Sequence, residues 1–152
     1  MTLRIPFLFD SMEKFDPSQV NLMFSTLYNH INSPYVEYGA TSNVLGWSAF
    51  SARKVYYKQL GRLVFVNYYI GGASNDTACS FTVPLPSVDP YGTWAALPFV
   101  YDNTAYLTTL GVTYLGNGLT KVDCYKTVNG SPWTWTGSGD KLIIGQFFYP
   151  VA

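Results

Sequence analysis

A helical repeat of apolar residues is confined to one segment of the chain, residues 17–32. Asp16 precedes Pro17 and lies three residues before Gln19, which is the arrangement of a helix N-cap, and Pro34 ends the pattern. The sequence therefore predicts one amphipathic helix from Pro17 to Asn32. Its apolar residues follow at spacings of four, three and four and form one stripe, a candidate interface. They are Val20, Phe24, Leu27 and Ile31.

From about residue 44 the pattern changes to short runs rich in β-branched and aromatic residues. The expected strands lie near 44–50, 53–60, 62–70, 77–83, 94–101, 104–115, 119–128 and 141–149. Turn signals separate them at Gly61, Gly71-Gly72, Asn75-Asp76, Asn117-Gly118 and Asn129-Gly130. Successive strands are therefore expected to be mostly antiparallel neighbours. The expected fold class is mainly β, a jelly-roll-like antiparallel β-sandwich with one N-terminal amphipathic helix and an extended N-terminal arm.

Two of the expected strands are apolar on both faces, residues 62–70 and residues 142–149. In the first of them, one face holds Val64, Val66, Tyr68 and Ile70, and the other holds Leu63, Phe65 and Tyr69. An antiparallel sheet in a monomer normally leaves one face polar. The second face is therefore expected to be covered by the helix, by a loop or by another subunit.

Composition strengthens the expectation of self-association. Aromatic residues make up 18% of the chain and charged residues only 12%, whereas about 25% charged residues is usual in a soluble domain. The formal net charge is zero, so electrostatic repulsion does not oppose contact between copies. The sequence therefore predicts a homo-oligomer.

The potential metal ligands are few. Cys79 and Cys124 could form one disulfide, but both are in phase with apolar neighbours in strand-like runs, which favours two buried thiols. Two cysteines and the single histidine, His30, cannot complete a four-ligand zinc site. No metal and no cofactor is expected.

Catalytic machinery is not apparent in the sequence. Four aspartates lie beside Asn, Pro or Gly, where they are typical of turns, namely Asp76, Asp89, Asp102 and Asp140. Asp123 alternates with Lys121 on what reads as a solvated strand face. No nucleophile motif accompanies His30, and no paired carboxylates are evident. The chain is therefore predicted not to be an enzyme.

Nucleic acid and membrane partners are not expected either. The nine basic residues do not form a patch typical of nucleic-acid binding, and the glycine-rich turns lack the spacing of a phosphate-binding loop. The first ten residues are apolar over too short a run to cross a bilayer, and no signal-peptide cleavage site follows.

Aromatic side chains remain as the candidate ligand-binding groups. Trp133 and Trp135 are placed to share one face, and Trp94, Tyr91 and Tyr101 are further candidates. Exposed aromatic rings stack on sugars, so these residues are a candidate glycan platform. The alternative is that they fill the core or a subunit interface, where Trp and Tyr are enriched.

Three runs carry a resemblance to a known group of proteins. The run Tyr57-Lys58-Gln59-Leu60-Gly61-Arg62-Leu63-Val64-Phe65-Val66 resembles a hairpin of bacteriophage tail-fibre and head-appendage β-domains. Phe81-Thr82-Val83-Pro84-Leu85-Pro86 is similar to a strand end in those domains, and Gly145-Gln146-Phe147-Phe148-Tyr149 is similar to their closing strand. The resemblance implies a β-domain that is typically a trimeric knob.

The resemblance also extends to the front of the chain, which is similar to the particle-anchoring start of phage virion proteins. It implies a docking arm and helix in residues 1–43 and a β-sandwich knob in 44–152, with particle-docking candidates Ile5, Phe7, Leu8 and Phe9. No shaft repeat is visible, which favours a capsid-decoration or head-fibre protein of the virion. The alternative is a tail-fibre receptor-binding or carbohydrate-binding knob. The expected partners are copies of the chain, other virion proteins and, for the alternative, a host surface glycan.

Overall fold

The computed structural model describes residues 17–128 and 134–152 of the chain. It divides the chain into two compact units, 1–34 and 35–152. In the first unit, helix α1 spans Pro17–Asn32, which are the predicted bounds. The expected N-cap at Asp16 and the N-terminal arm, with its docking candidates Ile5, Phe7, Leu8 and Phe9, lie outside the described residues.

The second unit contains ten strands in two antiparallel sheets. The strands are β1 (Val36–Glu37), β2 (Trp47–Leu60), β3 (Leu63–Ser74), β4 (Ser80–Thr82), β5 (Thr93–Leu97), β6 (Phe99–Asn103), β7 (Ala105–Tyr106), β8 (Gly111–Leu115), β9 (Lys121–Tyr125) and β10 (Asp140–Pro150). A six-stranded sheet has the order β1-β2-β3-β10-β6-β7, and a four-stranded sheet has the order β4-β9-β8-β5. The predicted mainly β fold with two packed antiparallel sheets and one N-terminal helix is confirmed.

The core lies between the two sheets. Val64, Val66, Tyr68 and Ile70 of β3 are buried, as their shared face predicts. They join Phe81, Leu97, Leu115 and Val122 from the four-stranded sheet in one apolar cluster. The buried Cys79 and Cys124 are both free thiols, which confirms the sequence prediction. The core therefore uses one apolar face of each two-faced strand and leaves the other face outside.

The predicted strand boundaries are wrong where the chain changes sheet. The run 94–101 is two strands, β5 in the four-stranded sheet and β6 in the six-stranded sheet, separated by Pro98. Proline has no backbone N–H for a ladder, so it interrupts the strand there. The runs 44–50 and 53–60 instead merge into the single strand β2, whose register shifts occur near Trp47 and Phe50.

The turn predictions are confirmed at three positions. Asn75-Asp76 lies between β3 and β4. Gly61, with a φ of 60°, turns β2 into β3, and the segment around Asn117-Gly118 turns β8 into β9. Gly71 and Gly72, in contrast, lie inside β3, and Asn129-Gly130 lies outside the described residues. The prediction that successive strands are mostly antiparallel neighbours is also wrong, because the chain passes between the sheets after β3, β5, β7 and β9. A turn residue indicates that the chain reverses, but not which strand it pairs with next.

Candidate functional site

The carboxylates of the β unit mainly organise the backbone. Asp76 Oδ1 accepts the Ala78 N–H at 3.0 Å, and Asp89 Oδ1 accepts the Tyr91 N–H at 3.1 Å, as predicted for turn residues. Asp123 forms an ion pair with Lys121 at 2.7 Å on the outer face of the four-stranded sheet. Within residues 17–128 and 134–152, no cluster of three or more His, Cys, Asp or Glu side chains could hold a metal ion. No helix in this described part of the chain is long and apolar enough to span a membrane.

Asp102 does not lie in a turn, contrary to the sequence prediction. It lies on β6 with its side chain buried, and Lys126 Nζ reaches its Oδ2 at 2.6 Å. Thr136 adds a backbone N–H at 3.2 Å and a hydroxyl at 3.0 Å. The neighbouring Asn103 suggested a turn, but Asp102 is held in the strand because the fold supplies three donors to its carboxylate.

Lys141 is a buried cation that the sequence prediction missed. Its ammonium group donates to the carbonyl oxygens of Gly46 at 3.2 Å, Asp76 at 2.8 Å and Ala78 at 3.1 Å. It also lies 5.3 Å from the ring centre of Trp47 and 5.4 Å from that of Trp135. Burial lowers the pKa of Lys141, while nearby thiol and carboxyl groups oppose that shift. With every donor directed at protein groups, this lysine is a structural element of the core.

The described residues of the predicted aromatic platform lie in different surroundings. Trp135 is only 2% exposed, and its indole N–H donates to the Cys124 carbonyl at 2.8 Å, so it is a core residue and not part of an exposed platform. This is the alternative that the sequence left open for it. Trp133 lies outside the described residues. Tyr91 is 89% exposed in the loop before β5.

Trp94 is the platform candidate that the structure places at a recognisable site. It is 60% exposed on the outer face of β5. Its ring lies 4.3 Å from the ring centre of Tyr114 and 5.9 Å from that of Tyr125. These two tyrosines belong to β8 and β9, so the sheet supports Trp94 from one side. Such support holds an exposed ring in one orientation.

A cleft of about 560 Å³ opens beside Trp94, where β5 passes the C-terminal half of β10. Phe65 and Phe148 lie in it with a ring separation of 5.9 Å, and Tyr35 adds a further ring. We call this space the aromatic cleft. Its remaining side-chain lining includes Asn67, Asp89, Thr93 and Gln146.

The two side-chain amides of the aromatic cleft come from opposite positions on two strands. Asn67 on β3 pairs directly with Gln146 on β10, so both side chains lie on the outer face of the sheet. Across the described residues, no hydrogen bond engages either side-chain amide. Each amide therefore offers donors and an acceptor to a ligand. The sequence signal was visible, since these two residues interrupt otherwise apolar strand faces.

Beyond this polar row, the outer face of the six-stranded sheet is apolar again. Tyr69 pairs with Ile144, which pairs with Phe99, and Leu142 pairs with Tyr101, which pairs with Tyr106. We call these six residues the outer aromatic patch. Tyr69, Phe99 and Tyr106 are 43%, 38% and 65% exposed. Within the described residues of unit 35–152, part of the second apolar face that the sequence predicted is therefore exposed at this end of the sheet.

The helix stripe is likewise on the surface of its own unit. Phe24, Leu27 and Ile31 are exposed, and Val20 is partly exposed. Their spacing is that of a helix seam which packs against another helix. The candidate helix interface is thus accessible within residues 17–34.

Comparison with known proteins adds no family. No protein-family model matches the chain, and no curated protein is significantly similar to it. The fold and the site define the class as a small two-sheet antiparallel β-protein with an aromatic cleft.

Proposed function

We propose that this chain is a non-enzymatic structural protein of a bacteriophage virion, which forms a trimer and docks on the particle through its N-terminal segment. The observation that carries the proposal is the exposed apolar surface, present both as the outer aromatic patch and as the helix stripe. The particle assignment and the trimer rest on the resemblance of residues 57–66, 81–86 and 145–149 to phage appendage domains.

The size of the exposed surface supports association through both regions. An aromatic side chain presents about 200 Å², so the exposed parts of Tyr69, Phe99 and Tyr106 add up to roughly 300 Å² per subunit. At about 25 cal/mol per Å², burying them contributes about 7 kcal/mol. Association itself costs about 4–15 kcal/mol. The patch alone is therefore marginal, and the helix stripe supplies the additional burial.

Self-association is tested by the mass in solution. We expect multi-angle light scattering at micromolar concentration to give about three times the chain mass of 17.0 kDa. Phe24→Glu and Tyr106→Asp each place a charge on one of the two apolar regions, and each is expected to shift the mass toward 17.0 kDa.

The matched control is Tyr91→Asp, which adds the same charge at an exposed aromatic residue outside both regions. It should leave the mass unchanged. Circular dichroism confirms that each variant is folded. A wild-type chain that is folded, soluble and monomeric would contradict the proposed assembly.

Particle docking is tested by removing the apolar segment in front of the helix. Deleting residues 1–15 should abolish co-sedimentation with virions of the phage that encodes the chain, because Ile5, Phe7, Leu8 and Phe9 are lost. The β unit should stay folded, since its core lies in residues 35–152. Retained co-sedimentation would rule out this segment as the docking element.

The second candidate function is a receptor-binding or carbohydrate-binding knob. One specific observation favours it, namely that the supported and exposed Trp94 lines the same cleft as two side-chain amides that form no hydrogen bond with the described residues. Aromatic rings with a few convergent polar groups are typical of ligand sites. A glycan array of bacterial surface polysaccharides tests this function.

A further inference from the structure

We infer that the aromatic cleft selects uncharged saccharides and rejects anionic ones. This inference rests on the second candidate function, and it adds the chemical class of the ligand. It is argued from the aromatic walls, the polar groups and the charge of the described lining.

The walls suit the apolar face of a pyranose ring. Trp94 and Phe148 are 60% and 61% exposed, so a ligand can contact both rings from the solvent side. The face of an aromatic ring is electron-rich and attracts the weakly positive C–H groups of a sugar. Because Tyr114 supports Trp94 with a ring separation of 4.3 Å, the contact costs little side-chain ordering.

The polar row suits hydroxyl groups. A sugar hydroxyl is both donor and acceptor, and so is each side-chain amide of Asn67 and Gln146. The two residues lie directly opposite each other on β3 and β10, so one ring can be contacted by both. A ligand that supplies only acceptors would leave the amide oxygens without a partner in a partly desolvated cleft.

Charge decides against anionic ligands. The described lining contains one carboxylate, Asp89, and no lysine or arginine. Asp89 is fixed there because its two oxygens accept from the Tyr91 N–H at 3.1 Å and the Thr93 hydroxyl at 3.3 Å. A uronate or phosphate group entering the cleft would lose hydration beside a like charge without a compensating cation.

Titrations followed by ¹H–¹⁵N NMR test the inference with defined probes. Maltotriose and triacetylchitotriose are the neutral probes, and trigalacturonate is the anionic one. We expect a neutral probe to bind about tenfold or more tightly than trigalacturonate and to shift the Trp94 indole resonance. Trp94→Ala should weaken that binding about tenfold, whereas Tyr91→Ala, at an exposed aromatic outside the lining, should change it by less than about twofold.

Asp89→Asn tests the charge argument directly. It removes the negative charge but keeps an acceptor for the Tyr91 N–H. The ratio of the affinities for the neutral probe and for trigalacturonate should therefore become smaller. Tighter binding of trigalacturonate by the wild type would overturn the selectivity while leaving the binding role intact. Failure of every neutral and anionic glycan on an array to bind would overturn both. Neither result bears on the mass measurement that tests assembly.

Discussion

Replacing Lys141 with alanine is expected to lower the free energy of unfolding by about 3–5 kcal/mol. The substitution opens a cavity between Trp47 and Trp135 and removes donors from three buried carbonyl groups. The Gly46 carbonyl keeps a second donor, the Asn75 N–H at 3.3 Å. Among the described residues the Asp76 carbonyl does not, because the one hydroxyl proton of Ser74 is directed at the Thr136 carbonyl at 2.5 Å. In the described part of the chain the Ala78 carbonyl keeps none, and a stranded buried acceptor costs about 1–3 kcal/mol.

Lys141→Met separates the cavity from the lost hydrogen bonds. Methionine fills a similar volume, so the loss should be smaller than for alanine but still at least about 1 kcal/mol. Urea denaturation at equal protein concentrations provides both values. A methionine variant as stable as the wild type would show that the ammonium contacts contribute nothing beyond packing.

The difference in stability between the wild type and Lys141→Met should change with pH in a defined direction. Burial lowers the pKa of folded Lys141 below the ordinary 10.5. Between the two pKa values the unfolded chain binds more protons than the folded one, so stability due to this group rises with pH there. The free energy of unfolding of the wild type should therefore rise relative to that of Lys141→Met as the pH approaches 10.5 from below. An advantage that falls over this range would contradict the burial argument.

Lys141 also shows what the sequence reveals about this fold and what it conceals. Its position alternates with Ile143, Phe147 and Tyr149, all buried in β10, so the strand period alone places a lysine on the core face. The acceptors of its hydrogen bonds, however, are backbone carbonyls within residues 46–78. No local sequence pattern indicates that this segment crosses the end of β10. Period-two patterns identify the face of a residue but not its neighbours.

The candidate site likewise combines elements that local sequence patterns predict with contacts that they do not predict. Local signals predicted helix α1 with its observed bounds. They also predicted the hairpin with its turn at Gly61. The aromatic cleft joins β3, β10 and residues 89–95, and this depends on Pro98 sending the chain from one sheet to the other. Trp94 was therefore predictable as a candidate, and Asn67 and Gln146 were visible as polar interruptions of apolar strand faces. That these two residues line the same cleft as Trp94 was not predictable.

Replacing Asp102 with alanine is expected to cost about 3–5 kcal/mol of unfolding free energy, about 10 °C in Tm. Its carboxylate accepts from Lys126 at 2.6 Å and from the Thr136 N–H and hydroxyl. The loss arises because the donors remain in a partly buried site without their charged acceptor, and among the described residues only Lys126 keeps a second contact, to the Thr134 carbonyl at 3.4 Å. The matched control is Asp123→Ala, which breaks the more exposed pair with Lys121 and should cost less than about 1 kcal/mol.

A double-mutant cycle with Lys126→Ala assigns the cause of that loss. If the stranded ammonium group accounts for much of the cost of Asp102→Ala, removing Lys126 as well should cost at least about 1 kcal/mol less than the sum of the two single losses. The Thr136 donors remain in the double variant, so recovery should be incomplete. Urea denaturation of the four proteins measures the coupling. Additive losses, or a loss for Asp102→Ala no larger than that for Asp123→Ala, would show that burial has not made this ion pair stronger than a surface pair.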